Sequence, residues 1–188
     1  MNQKPIRNHD DAMDSHYFTY NKNGENKKYP IKIDFFRISS KKFAQNQVKI
    51  KPNNIINLLE EETAENFDLS DDSIQNFINY VDRQDAFLSN NNVIEINYLA
   101  KYYEINSLIQ KTEEYIQEHH QELALPLLLI NQKESFDRSS YEKVISNNLE
   151  EYVENESLSE ISISILYRIL FEYHSSKEMN NKILDFLF

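Results

Sequence analysis

A single glycine, Gly24, in a chain of 188 residues limits this protein more than any motif in it. Loops that cradle phosphates, whether G-x-G-x-x-G or Walker in type, need several glycines so that the backbone can approach the anion or take positive φ. No such nucleotide site can be assembled here. Calcium loops are excluded for the same reason, since they set oxygen ligands along a turn with a glycine at its sharp bend. The carboxylate clusters Glu60-Glu61-Glu62 and Asp71-Asp72 therefore need another explanation. For Asp71 and Asp72 it is the first turn of a helix, where negative charge meets the positive end of the dipole.

Gly24 follows Asn23 and stands between two β-favouring runs, Tyr17-Phe18-Thr19-Tyr20 and Tyr29-Pro30-Ile31-Lys32-Ile33. Asn-Gly flanked in this way predicts a β-hairpin. Pro30 has no N–H to give to a ladder, which places it at a sheet edge or at the start of its strand. Residues 1–15 are polar and without period, and read as a loose arm.

Past the hairpin the spacing turns helical. Phe35, Phe36, Ile38 and Phe43 predict a short first helix, and Ile55, Ile56, Leu58 and Leu59 predict another over Asn53–Glu62. A short strand is expected at Asn66–Leu69. Ser70 can then cap a helix whose residues Ile74, Phe77, Ile78 and Val81 fall at i, i+3, i+4 and i+7. Ala86-Phe87-Leu88 is a candidate strand. Ser89 opens a helix with Val93, Ile96, Leu99, Ala100 and Tyr103 on one side, and Leu108, Ile109, Thr112, Tyr115 and Ile116 mark the next. Val93, Leu99, Leu108 and Tyr115 are expected together on the inner side of this helical pair. In the remaining third, three S-x-x-E sequences, Ser139 with Glu142, Ser157 with Glu160 and Ser175 with Glu178, read as capping boxes that open stacked helices.

Composition narrows the function. With Cys 0 there is no disulfide, thiolate nucleophile or thiolate metal site, which fits a reducing compartment. A net charge of −11 disfavours binding to phosphate backbones, because that affinity rests on Lys and Arg. The N-terminal residues lack the apolar stretch of a signal peptide, and the longest apolar run, Leu123 to Ile130, is too short to span a bilayer. The expectation is a soluble, cytoplasmic protein that binds other proteins, with no nucleic acid, no membrane and no cofactor.

Motif chemistry gives no competing signal. His119 and His120 are adjacent, so on a helix they point about 100° apart and cannot face one ion. No H-E-x-x-H pair or Ser, His and Asp arrangement stands out, and neither catalytic nor metal residues are assigned. Tyr98, Tyr102, Tyr103, Tyr167 and Tyr173 are read as core and rim positions, since a base-stacking platform needs surrounding Lys and Arg.

The order hairpin, short helix, strand, helix, strand, two consecutive helices resembles a BTB/POZ domain over Tyr17 to His119. Tyr29-x-Ile31 running through Phe35-Phe36 to Ser40-x-x-Phe43 is similar to that family's second strand and first helix. Phe67-Asp68-Leu69-Ser70 with Phe77-Ile78-Asn79-Tyr80-Val81 resembles the following strand and helix. Asn92-Val93 through Leu99-Ala100, Tyr103-x-Ile105 and Leu108 looks like the family's N-V-x-x-L-x-x-L-A-x-x-Y-x-I-x-x-L run. Beyond His120, Ile145 to Val153, Leu158 to Ile161 and Ile165 to Leu170 resemble a BACK-type helical segment, of the divergent protist type often found ahead of ankyrin repeats. Lys32 and Ile33 depart from the family pattern, and Val48 to Glu65 matches it poorly.

The resemblance implies an α+β, mainly helical protein: a loose arm over 1–15, a BTB/POZ-like small sheet flanked by helices over 16–120, and a BACK-like helical annex over 121–188. It implies no enzyme but a homodimer, self-associating through the N-terminal strand and first helix by Tyr17, Phe18, Phe35 and Phe36. It further implies adaptor duty for a cullin-type ubiquitin ligase, whose partner contact would be an apolar-x-Glu loop at Leu58 and Glu60. The same residues suit an ordinary amphipathic helix, which pattern favours. Two other readings remain open: a purely helical scaffold, in which the strands are loops, and a hydrolase using Asp, Glu and His.

Overall fold

The computed structural model describes residues 16–22, 24–45, 47–59, 69–130, 138–176 and 183. The fold is α+β: a three-stranded mixed sheet and, among the described residues, nine helices. The chain divides into two compact units, residues 1–112 and 113–188. The division falls inside a helix, after Thr112 rather than after His120.

In the first unit, β1 (His16–Lys22) and β2 (Glu25–Ile31) form the expected antiparallel hairpin, with Lys22 opposite Glu25. Gly24 supplies the positive φ that the tight turn needs, at +83°. The order β2-β1-β3 leaves β2 at an edge, where Pro30 is tolerated. Ile33 does not continue β2. It opens α1 (Ile33–Ser39), which is followed at once by α2 (Lys41–Ala44), capped by the Ser40 hydroxyl accepting from the Phe43 N–H at 3.0 Å.

The helix expected over Asn53–Glu62 is absent from its described part. Asn53 and Asn54 take φ of 65° and 58°, a left-handed conformation that asparagine tolerates and a right-handed helix cannot contain. Ile55–Asn57 become β3, parallel to β1 with Phe18 opposite Ile56. Two adjacent β-branched isoleucines suit a strand, and the short apolar run carried no period that separates the two states. Of the strand expected at Asn66–Leu69, only Leu69 is described. It is buried and its N–H donates to the Tyr20 hydroxyl at 3.0 Å.

Helix α3 (Asp71–Val81) starts at Ser70, whose hydroxyl accepts from the Ser73 N–H, and buries Ile74, Phe77, Ile78 and Val81 as the spacing predicts. Ala86-Phe87-Leu88 forms no strand. Side chains hold it instead: Asn76 accepts the Phe87 N–H at 2.8 Å and Asn92 donates to the Phe87 carbonyl. Helices α4 (Val93–Tyr102) and α5 (Asn106–Glu118) follow. Between them the buried Asn97 amide donates to the Thr112 hydroxyl at 2.7 Å. Val93, Leu99 and Leu108 are buried as expected, whereas Tyr115 is half-buried and stacks on His119 one turn on.

With one glycine available, the ends of α3 and α4 use other residues. Gln84 N–H reaches the Asn79 carbonyl and Arg83 N–H the Tyr80 carbonyl; Ile105 reaches Ala100 and Glu104 reaches Lys101. Both ends are Schellman motifs, with Arg83 (φ 58°) and Glu104 (φ 55°) at the position glycine normally fills. A left-handed non-glycine residue costs about 1–2 kcal/mol. Glu104→Gly is therefore expected to raise stability by about 0.5–1 kcal/mol after the entropy of the freer unfolded chain is offset, read as a higher midpoint in urea.

The core of this unit is aromatic. Phe18 from the central strand meets Phe36 (5.1 Å), Tyr103 (5.7 Å) and Phe77 (6.2 Å), and Phe43 closes on Phe36 at 5.0 Å. The Tyr103 hydroxyl keeps a partner there, donating to the Leu58 carbonyl at 2.6 Å.

The second unit contains α6 (His120–Ile130), α7 (Ser139–Asn147), α8 (Leu149–Tyr152), a 3-10 turn (Glu156–Glu160) and α9 (Ile163–Ser176). Neither of the two capping boxes that lie wholly within the described residues forms. Ser139 is the first residue of α7, behind Arg138, and Glu142 turns inward to Arg168. Asn155 caps the turn that contains Ser157, and Ser175 lies in the last turn of α9, with Glu178 outside the described residues. A three-residue spacing recurs wherever Ser and Glu are common, and only a free backbone N–H makes it a cap. Ala124, Leu128, Ile145, Leu149, Leu158, Ile165, Ile169 and Tyr173 form the buried cluster.

Candidate interaction surfaces

The residues singled out in the sequence fall into three groups. Leu58, Phe18 and Phe36 are wholly enclosed in the first unit's core, so none offers its side chain to a partner. Tyr17 and Phe35 are half-buried and keep some surface. Glu60, with Glu61 and Glu62, lies outside the described residues.

The acidic pair at the start of α3 is engaged within the fold. Asp71 accepts from Lys27 and from the Tyr29 hydroxyl (2.7 Å), which ties β2 to the helix N-terminus. Burial, with the Asp71 carboxylate beside it, pushes the Tyr29 phenol well up. Asp72 accepts from Asn76 and Asn92. Asp82 accepts the Lys32 N–H at 2.9 Å, and burial raises its carboxyl above the usual range although that N–H and the Lys32 charge pull the other way. The His119 ring bonds the Tyr115 carbonyl and the His120 ring the Gln117 carbonyl, both in the preceding helix α5. Among the described residues no three His, Asp or Glu side chains are grouped as a metal would need.

What stands out on the surface is apolar. In the first unit Ile38 on α1 and Phe87 in the α3–α4 connection are each 71% exposed. In the second, α9 shows Ile163, Tyr167 and Phe171 at 86%, 68% and 67% exposure. These three fall at i, i+4 and i+8 and form one ridge along the helix, with the Tyr167 and Phe171 rings stacked at 6.4 Å. Ile165, Ile169 and Tyr173, at the same interval two residues on, face the core. Tyr167 thus belongs to neither core nor rim, unlike Tyr173. The signal was available in the sequence as two apolar rows at four-residue spacing, Ile163-Tyr167-Phe171 and Ile165-Ile169-Tyr173, separated on one side by Ser164, Arg168 and Glu172, which one buried stripe cannot account for.

Beside this ridge, Arg168 donates from Nε (2.9 Å) and Nη2 to the two carboxylate oxygens of Glu142. Glu142 in turn holds the guanidinium more firmly protonated than usual. The ridge is flanked by a satisfied charge.

No family model and no curated protein matches the chain. No helix among the described residues is long and apolar enough to cross a membrane.

Proposed function

We propose that this protein is an interaction module that works by recognition rather than by catalysis, and that it self-associates through α9. The observation that carries the reading is the exposed ridge Ile163, Tyr167 and Phe171. Ridges at i±4n pack into the grooves of a like helix at about −50°, so two copies of α9 can interdigitate across a two-fold axis. The Arg168 charge beside the ridge is already matched by Glu142 and does not oppose such a pairing. The order of elements in the first unit, hairpin, two short helices and a third strand parallel to the first, supports the BTB/POZ-like reading in which such modules present partners.

Four titratable groups shifted by burial support recognition over a hydrolase. Tyr29 holds Asp71, Asp82 holds the Lys32 N–H, Tyr152 donates to the Gln121 carbonyl and Tyr173 to Glu150 at 2.9 Å, each binding elements of the fold together. The proposal does not extend to a cullin contact at Leu58, whose side chain is enclosed.

Sedimentation at several concentrations is the test. The wild type is expected to show a monomer–dimer equilibrium, and Tyr167→Glu to remain monomeric with an unchanged circular dichroism spectrum, since an exposed substitution away from the core costs within about 0.5 kcal/mol of fold stability. A strict monomer for the wild type at every concentration refutes self-association, and an unchanged dimer in Tyr167→Glu moves it elsewhere.

A further inference from the structure

Residues 22–51 carry nine Lys or Arg against Glu25 and Asp34, a net charge of +7 in a chain whose total is −11. The fold gathers part of this charge, together with Arg83 from the end of α3, around α1 and α2. Lys32 Nζ lies 5.7 Å and the Arg83 guanidinium 4.9 Å from the centre of the Phe35 ring. Arg37 lies over Phe43 (5.7 Å) and Lys42 over Tyr102 (3.5 Å), while Lys41 is exposed at the start of α2. Ile38 stands among them, 71% exposed. The one ion pair found for this group among the described residues is Arg37 with Asp34, at 3.9 Å on the surface.

We propose that the α1–α2 surface docks an acidic segment of another protein, with its carboxylates on Lys32, Arg37, Lys41, Lys42 and Arg83 and an apolar side chain against Ile38 and Phe35. Charge complementarity selects the partner. An isologous pairing across this face sets cations against cations, and like charges in contact are repelled strongly enough to exclude wrong partners. Nucleic acid is the poorer fit, because the rest of the chain carries a net −18, the strongly exposed apolar side chain of the patch, Ile38, is aliphatic, and the rings beside it are already covered by cations. The ring contacts also hold the cations before binding, which lessens the side-chain ordering that association must overcome. Arg83 is informative here: it occupies a left-handed position where glycine is unstrained, so its side chain can be removed without harm to the backbone.

The probe is a short labelled peptide of Glu-Glu-Leu-Glu repeats, read by fluorescence anisotropy on the full chain beside its Gln-Gln-Leu-Gln and Glu-Glu-Ser-Glu counterparts and a DNA duplex. The acidic leucine peptide is expected to bind, to weaken as salt is raised, and to bind about tenfold more tightly than either counterpart. Lys41→Glu with Lys42→Glu is expected to abolish binding. Arg83→Gly is expected to weaken it several-fold with a melting temperature no lower than the wild type's. Tyr167→Glu, which tests self-association through α9, is expected to bind the peptide as the wild type does, so the two proposals fail separately. Equal affinity for the glutamine peptide, tighter binding of DNA than of the acidic peptide, or unchanged affinity in the Lys41/Lys42 and Arg83 variants overturns the assignment.

Discussion

Replacing Phe18 by alanine is expected to lower the stability of the protein by about 4 kcal/mol, within the usual range for deleting a buried phenylalanine. Phe18 is fully enclosed on the central strand, and it touches three other rings, Phe36, Phe77 and Tyr103, each from a different helix or helix end. Strands pair with β1 on both sides, so the backbone cannot move in to fill the hole. The cost therefore includes the cavity as well as the lost transfer of the ring from water. Against a typical domain stability of about 5–15 kcal/mol this is a large fraction. Urea unfolding of Phe18→Ala and Phe18→Leu separates the two contributions, the leucine variant losing the smaller amount. A loss under about 2 kcal/mol for alanine would mean that the rings repack and the aromatic cluster is not what fixes β1.

Arg168→Met is expected to cost about 2 kcal/mol in the second unit. Methionine keeps the aliphatic stem packed, so the loss is that of the bidentate partner of Glu142. The Glu142 side chain is 10% exposed and that of Arg168 is 47% exposed. Breaking a fully buried pair costs about 3–5 kcal/mol because it strands a charge, and water reaching Arg168 reduces that figure here. Glu142→Leu combined with Arg168→Met is expected to recover most of the stability, since no buried carboxylate is then left unpaired. Thermal melts of the single and double variants decide it: a double variant as unstable as the single would show that the pair acts through packing alone.

The hairpin and the helices from Ser70 to Tyr103 were legible because their signals are local. Asn23-Gly24 specifies a turn whatever surrounds it, and Ile74, Phe77, Ile78 and Val81 share a helical face by geometry alone. The misreadings share a cause too. Ile55-Ile56 and Phe87 are apolar in a way that both helix and strand accept, and the choice was made by distant partners: β1 beside Ile55–Asn57, and Asn76 and Asn92 beside Phe87. The capping box at Ser139 failed because Arg168, twenty-six residues away, takes Glu142 inward, and the one at Ser157 because Asn155 already caps that turn.

For the candidate surfaces the split is sharper. Charge is additive along a chain, so the basic segment over 22–51 and the acidic remainder are properties of composition, as are the exclusion of nucleotide and calcium loops by a single glycine and the helical period of α9. Which of its two apolar stripes α9 buries, that Phe18 and Phe36 are core rather than interface, and that Arg83 joins Lys32 over Phe35 were settled only by tertiary packing. Burial and long-range pairing depend on which surfaces meet in space, and residues far apart in sequence carry no record of that meeting until the chain has folded.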